Sequence, residues 1–357
     1  MSLLTDSHRA RLGWSPQLDE AFAPHAGDGL QPARVTVQNR GLYLVVGDGG
    51  EQEAEITGRL RHEAEDGGDL PAVGDWVALR PTDGRAMIAA VLPRRSKLSR
   101  KVPDRELEEQ VLAANVDVIF IVTSLNRELR LRRLERYLAT AWESGATPAI
   151  VLTKSDLADD VEARRAEVES IAFGVGVHVV SAVTGEGLDE LPAYFAGNRT
   201  CVFLGSSGVG KSTLINALAG EELQATAAIR ESDDRGRHTT TRRELIVLPD
   251  GGIVIDTPGM RELQLWENED GMDTAFTDVT ELMTQCRFSD CSHEREPGCA
   301  IKQALADGSL ARQRWESYTR LQRELRALEI KLDKRLKSEE RKKWRTFERQ
   351  RRRPKKW

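Results

Sequence analysis

Eight residues, Gly205-Ser206-Ser207-Gly208-Val209-Gly210-Lys211-Ser212, fit G-x-x-x-x-G-K-[ST] and constrain this chain more than any other stretch. The apolar run Cys201-Val202-Phe203-Leu204 precedes them, and Thr213-Leu214-Ile215-Asn216-Ala217-Leu218, helical in texture, follows. Strand, glycine-rich turn and helix start, in that order, make a cradle for phosphate. Glycines let consecutive backbone N–H groups converge on an anion, and the helix N-terminus adds unpaired donors and a positive dipole end. The expected phosphate set is therefore Gly205, Ser206, Ser207, Gly208, Val209, Gly210, Lys211, Ser212 and Thr213. Lys211 is placed to reach the β- and γ-phosphates, and Ser212 to put its hydroxyl on Mg²⁺. An accidental glycine-rich turn is the alternative, and the flanking strand and helix argue against it.

From Val111 onward the pattern alternates between strand and helix, as in a doubly wound parallel sheet. Three strand ends carry further chemistry. Val247 and its neighbours pair with Gly252–Ile255 as a hairpin across Pro249-Asp250-Gly251, and the second strand runs into Asp256-Thr257-Pro258-Gly259. Ligands of open α/β sheets bind at such strand ends. Asp256 would hold Mg²⁺ through water, and the Gly259 N–H would meet the γ-phosphate. Thr153-Lys154-Ser155-Asp156, after the strand Ala149–Leu152, resembles the N/T-K-x-D guanine motif of Ras-like GTPases. A carboxylate at Asp156 accepts from guanine N1–H and N2–H₂, and adenine offers neither donor. Ser181-Ala182, ending the next strand, resembles the S-A element whose backbone N–H meets guanine O6. Read separately, these could be a helix start and a plain turn. Thr153 stands where Asn is commoner, which puts one tie between base loop and phosphate loop in question.

The order of these motifs is base motif, S-A, phosphate loop, switch segment, D-T-P-G, a circular permutation of the usual order. Such a permutation is feasible because domain termini often lie close together. Together with Gly236-Arg237-His238-Thr239-Thr240-Thr241, a preceding small β-barrel and a following Cys/His cluster, this order resembles the bacterial ribosome-small-subunit-dependent GTPase family (RsgA/YjeQ). The resemblance spans residues from about 34 to 330. It implies a GTPase of low intrinsic turnover, stimulated by the small ribosomal subunit and acting late in that subunit's assembly. Met260 stands where Ras-like enzymes carry a water-orienting glutamine, and a thioether cannot orient water. His238 is the nearest replacement, with a surface histidine as the alternative. Thr240 is favoured over Thr239 as the Mg²⁺ ligand.

Cys286-x₄-Cys291-x-His293-x₅-Cys299 supplies three thiols and an imidazole, a set that suits one closed, structural zinc site. Buried free cysteines or a redox pair are the alternatives. Cys201 is expected as a buried thiol. With four cysteines in 357 residues and no signal-peptide or membrane-length apolar run, the chain reads as cytoplasmic, thiol-reduced and free of membrane.

Residues 1–33, polar and proline-dotted, are expected to be a flexible lead-in. Residues 34–95 show five short strands between Asp-Gly turns, which suits an OB-fold-like barrel and nearly as well an SH3-like one. Tyr43 and Trp76 are its few aromatics for base stacking, and a core role suits Trp76 better. Pro93–Lys101 reads as a basic linker beside the barrel. The circularly permuted GTPase domain is expected at 106–265 and a zinc-binding helical domain at 266–336, where Leu321, Leu325, Leu328, Leu332 and Leu336 mark an amphipathic helix. The architecture is thus multidomain α/β.

The net charge of −5 hides an asymmetry: residues 331–357 hold fourteen Lys/Arg against four Asp/Glu, so the rest of the chain sums to −15. A basic tail at 337–357, interleaved with Trp344 and Phe347, points to ribosomal RNA, with a solvated tail as the alternative. Expected partners are GTP/GDP with Mg²⁺ and the small ribosomal subunit, met by a monomer. Two rival readings remain at this level, another P-loop NTPase and an RNA-binding assembly factor in which nucleotide is structural.

Overall fold

The computed structural model describes residues 6–39, 41–102, 105–125, 129–221, 243–256 and 269–332. The chain divides into two compact units, Met1–Gln264 and Leu265–Trp357.

The first unit opens with α1 (Asp6–Arg11) and α2 (Pro16–Ala26), where the sequence suggested a lead-in without fixed structure. The reason lies on the barrel. Trp76 and Leu92 face out of it and, with Leu12 and Leu18, form a buried cluster that Trp14 and Phe22 close over. Trp14 meets Trp76 edge-on at 4.6 Å between ring centroids. Ser15-Pro16 and the i,i+4 pair Leu18/Phe22 are the local signals for α2, since proline suits the first helical turn.

Five strands then close a barrel: β1 (Gln31–Gln38), β2 (Tyr43–Gly47), β3 (Gly50–Ile56), β4 (Trp76–Arg80) and β5 (Ala86–Val91). Their order is β1-β2-β3-β5-β4, and β4 returns to β1 to complete the ring. A helix, α3 (Gly58–Glu63), joins β3 to β4, with the Thr57 hydroxyl accepting from the Leu60 N–H as its N-cap. Five strands in this order, closed through β1–β4 with a helix before β4, make the barrel OB-fold-like. Inward residues Val35, Val45, Val77, Leu79 and Ile88 alternate along the strands and fill it. Tyr43 is 4% exposed and Trp76 1%, so both expected stacking aromatics are core residues.

Pro93–Lys101 is likewise more than a connector. Strand β6 (Lys97–Val102) pairs antiparallel with β7 (Arg105–Ala114). Arg100 stands opposite Gln110 and its Nε donates to it at 3.0 Å, while Lys97, opposite Ala114, reaches along the partner strand to Glu109 at 2.8 Å. Charged residues on both strands conceal the period-2 apolar signal that marks a strand in sequence.

The rest of the unit is the alternating α/β layer: β8 (Val118–Ser124), α4 (Leu131–Glu143), β9 (Thr147–Thr153), α5 (Val161–Glu169), β10 (Gly176–Val179), β11 (Thr200–Leu204), α6 (Lys211–Ala219), β12 (Arg243–Val247) and β13 (Ile253–Asp256). Strands β10, β9, β8, β11 and β13 run parallel in that spatial order. β12 forms the expected hairpin with β13. β12 also pairs with β1, so sheet and barrel share one continuous hydrogen-bonded ladder. Phe120, Val122, Val151, Phe203 and Val254 build the core, and Cys201 is fully buried among them. Burial pushes its thiol well above the ordinary range, which suits a packing role.

Arg34 of β1 ties these parts together from inside. Its guanidinium donates to Gly74 O at 3.1 Å, to Leu12 O and to Thr200 Oγ1 at 2.9 Å. It also lies over the Trp76 ring. Burial pulls it down to about 10, with Asp117 opposing, so it stays cationic at neutral pH. Arg34→Met would leave Leu12 O and Thr200 Oγ1 without this donor. We expect a loss on the order of 3 kcal/mol of stability, read as a lower unfolding midpoint.

The second unit packs α7 (Glu269–Ala275), α8 (Thr277–Thr284), α9 (Ala300–Asp307) and α10 (Arg312–Leu332). Leu321 and Leu325 are buried on α10, the start of the expected leucine stripe. Arg314 pairs with Asp278 at 2.8 Å and lies 4.0 Å over Phe276, which seats the start of α10 against α7 and α8. Residues 337–357 fall outside the described residues. Among the described residues no helix is long and apolar enough to cross a membrane.

Candidate functional site

The turn from β11 into α6 has the form its sequence dictates. A Cβ on Gly205 would lie 2.2 Å from Val122 O, and the residue sits at φ +153°, so only glycine fits. Gly210, at φ +98°, ends the loop and caps α6. Lys211 Nζ donates to Gly205 O at 2.8 Å and Ser206 O at 2.7 Å, which fixes its ammonium against the loop. Ser212 and Thr213 follow in the first turn of α6. The loop thus presents a helix N-terminus, flexible-backbone glycines and a lysine at one place.

Two residues of the base motif grip this loop. Thr153 Oγ1 donates to Val209 O at 2.6 Å, and Lys154 Nζ to Gly208 O at 2.8 Å. The first contact answers the question left by threonine in place of asparagine: a hydroxyl at the end of β9 is long enough to make the tie. Lys154 adopts φ +62°, a left-handed conformation uncommon outside glycine, which turns the chain from β9 into the base loop. Thr153→Val keeps the shape and removes the donor. Its expected result is a 5- to 30-fold rise in the Kd for GDP, that is about 1–2 kcal/mol, measured by titration with a fluorescent GDP.

Asp156 is exposed, and its Oδ1 accepts from Ser181 Oγ at 2.6 Å. The same hydroxyl oxygen accepts from the Val183 and Thr184 N–H groups, so one serine orders the loop and aims the carboxylate. Ser155 Oγ donates to Glu186 Oε2 at 3.3 Å, and the Ser181 N–H donates to Glu186 O at 3.0 Å. Ala182 follows Ser181 on this loop at partial exposure. Asp156, Ser181 and Ala182 therefore form one preorganised patch of acceptor and backbone, the requirement for reading a base edge.

Asp256 ends β13. Val202 lies opposite Ile255 in the parallel ladder, so Asp256 falls beside Phe203, two residues before Gly205. That puts a carboxylate at the edge of the phosphate loop. His238, Thr239, Thr240, Gly259 and Met260 lie outside the described residues.

Sequence reading missed contributors at two places in the fold. Arg133 of α4 reaches Ser206 Oγ with Nη1, and Tyr137, one turn on, also hydrogen-bonds Ser206. Their i,i+4 spacing on a helix otherwise buried against the sheet is the available signal. The other is Glu186, whose carboxylate and carbonyl serve Ser155 and Ser181.

In the second unit the four expected ligands converge. One ligand atom from each of Cys286, Cys291, His293 and Cys299 lies within 4.8 Å of the others. His293 Nδ1 is 3.6 Å from Cys286 Sγ and 3.5 Å from Cys299 Sγ. A tetrahedral ion with metal–sulfur and metal–nitrogen bonds of zinc length would span an S···N edge of about 3.6 Å. Burial lowers the His293 pKa and favours the neutral, ligating imidazole. Burial raises the Cys286 thiol, but hydrogen bonds from the Ala300 and Ile301 N–H groups at the start of α9, with those of the Cys291 and Cys299 thiols, together hold it below its ordinary value.

A phosphate loop, a base loop seated on it from upstream in the chain and a strand-end aspartate beside it define a circularly permuted P-loop GTPase. The profile described as RsgA GTPase matches residues 91–266. The small ribosomal subunit biogenesis GTPase RsgA of Syntrophotalea carbinolica is 49% identical over 324 residues, covering 88% of this chain and 89% of its own length. The protein of the same name from Streptomyces coelicolor is 45% identical over 335 residues, covering 93% and 90%. The crystal structure of YjeQ from Thermotoga maritima is similar with a TM-score of 0.62 at 28% identity, over 83% of this chain and 98% of that one. This chain belongs to the RsgA GTPase family.

Proposed function

We propose that this chain binds GTP with Mg²⁺, hydrolyses it on the small ribosomal subunit, and uses the cycle to bind and leave that subunit during maturation. The observation that carries the reading is the junction of Thr153 and Lys154 with Val209 and Gly208, beside an Asp156 fixed by Ser181. The relatives' names supply the ribosomal direction.

In this reading Asp156 accepts from guanine N1–H and N2–H₂, the Ala182 N–H meets O6, and the Lys154 stem lies along the base. Backbone N–H groups of Gly205–Thr213 and the Lys211 ammonium hold the phosphates. Ser212, Thr240 and Asp256 serve Mg²⁺, and the Gly259 N–H meets the γ-phosphate. Charge builds on the phosphoryl oxygens in the transition state, and fixed donors there lower the barrier. His238 orients the attacking water in place of the glutamine that Met260 replaces. Zinc, held by Cys286, Cys291, His293 and Cys299, is structural, because all four positions are protein ligands. The tail 337–357 meets rRNA.

Subunit-stimulated turnover tests the chemistry: His238→Ala should lower stimulated kcat by about 10²- to 10⁴-fold with GDP affinity unchanged. Unchanged kcat would remove His238 from the mechanism. Truncation after residue 336 should weaken small-subunit binding and flatten its salt dependence. Equal affinity and equal salt slope would leave the tail without this role.

A further inference from the structure

The metal-binding loop contains one residue that touches no ligand atom yet governs the loop's shape. Glu296 is a partly buried residue on whose carboxylate four donors converge. Its Oε1 accepts from the Ser292 N–H at 3.2 Å and the Ser292 Oγ at 2.6 Å. Its Oε2 accepts from the Glu294 N–H at 3.2 Å and the Arg295 N–H at 3.0 Å. These backbone groups bracket His293 on both sides. His293 itself sits at φ +60°, a conformation that a β-carbon disfavours and that persists only where its surroundings over-determine it.

We propose that Glu296 is a positioning residue for the metal: its carboxylate holds Ser292–Arg295 in the turn that lets Cys291 and His293 point at one centre. The inference rests on the zinc reading above. One residue separates Cys291 from His293, and the left-handed backbone at His293 sets the direction from which its imidazole joins the three thiols. The opposite face of His293 is set by Trp315 of α10, whose ring meets the imidazole edge-on at 5.5 Å. With the carboxylate on the backbone and the indole against the ring, the imidazole lies with Nδ1 toward Cys286 and Cys299. The hydrogen bonds, that of Ser292 foremost, also pull the Glu296 carboxyl down to about 2, so it is an anion at any pH where the thiolates bind metal. Groups that orient metal ligands from behind typically change affinity by about 10- to 100-fold when removed.

The test is competition for Zn²⁺ between a chromophoric chelator and the full-length chain, wild type against Glu296→Ala, Glu296→Gln and Glu294→Gln. Co²⁺ is substituted in parallel to read the ligand set from its visible bands. Glu296→Ala should lower the zinc association constant by about 10- to 100-fold. Glu296→Gln, which retains one acceptor oxygen, should fall between, and Glu294→Gln, a neighbouring carboxylate outside this hydrogen-bond set, should stay within about twofold. At saturation the Co²⁺ bands should match wild type in every variant. Equal affinity in Glu296→Ala and Glu296→Gln would overturn the inference. So would an equal loss in Glu294→Gln, which would reduce the effect to charge, or altered Co²⁺ bands, which would make Glu296 a ligand. Failure of the wild type to take Zn²⁺ would instead remove the zinc reading itself. Should Glu296→Ala not fold, Glu296→Gln alone decides.

Discussion

Asp156→Ala is expected to lower GTP and GDP affinity by about 10²- to 10⁴-fold, because in the proposed site its carboxylate would accept two hydrogen bonds from guanine, each bond to a charged group being worth about 1.5–3 kcal/mol. The residue is exposed and its carboxylate accepts from the Ser181 hydroxyl, so folding should be little affected. The loss is then of recognition and not of structure. Asp156→Asn sharpens the test. Its amide can donate where the carboxylate accepts, and xanthine carries a carbonyl where guanine carries the 2-amino group. Affinity should move from guanine to xanthine nucleotides, measured by titration of both with the same protein. Guanine affinity retained in Asp156→Ala would mean that the base is read elsewhere.

Stripping the metal is expected to have the larger structural effect. A structural zinc site contributes roughly 10–16 kcal/mol at neutral pH, comparable with or above the whole stability of an ordinary domain at about 5–15 kcal/mol. Cys299, buried at the start of α9, joins helix and ligand set in one residue. Chelation, or Cys299→Ser, should therefore expose the second unit to proteolysis. The nucleotide site lies within the first compact unit, so GDP binding should survive. Limited proteolysis beside a GDP titration on the same sample separates the two. An unchanged digestion pattern in protein proven free of metal would contradict a structural role.

What could be read in the sequence follows from where the constraint lies. The phosphate loop was legible because its chemistry is local: Gly205 must be glycine against Val122 O, and Lys211 must follow Gly210. The Cys/His cluster was legible for the same reason, since its ligands span only 286–299. The hairpin β12–β13 was legible from its turn. Residues 6–26 were not, because the surface that orders them, Trp76 and Leu92, stands about fifty residues or more downstream. Strands β6 and β7 were missed because Lys97, Arg100, Lys101 and Glu109 interrupt the apolar alternation of their ladder. The Thr153 tie could not be decided from residue type, since a hydroxyl and an amide differ in reach and only the spacing of β9 and the phosphate loop settles it. Glu186 acts on Ser155 from a distant loop with no local pattern to announce it, and the reach of Arg133 to Ser206 shows locally only as its i,i+4 spacing with Tyr137.

In the proposed cycle the permuted GTPase site of this chain is completed by the small ribosomal subunit. Phosphate release from GTP by the full-length protein, with and without purified small subunits, tests it most directly. Release should be slow alone and rise on the order of tenfold or more with subunits, abolished by Lys211→Ala and absent with ATP. Turnover indifferent to small subunits, or equal with ATP, would contradict it.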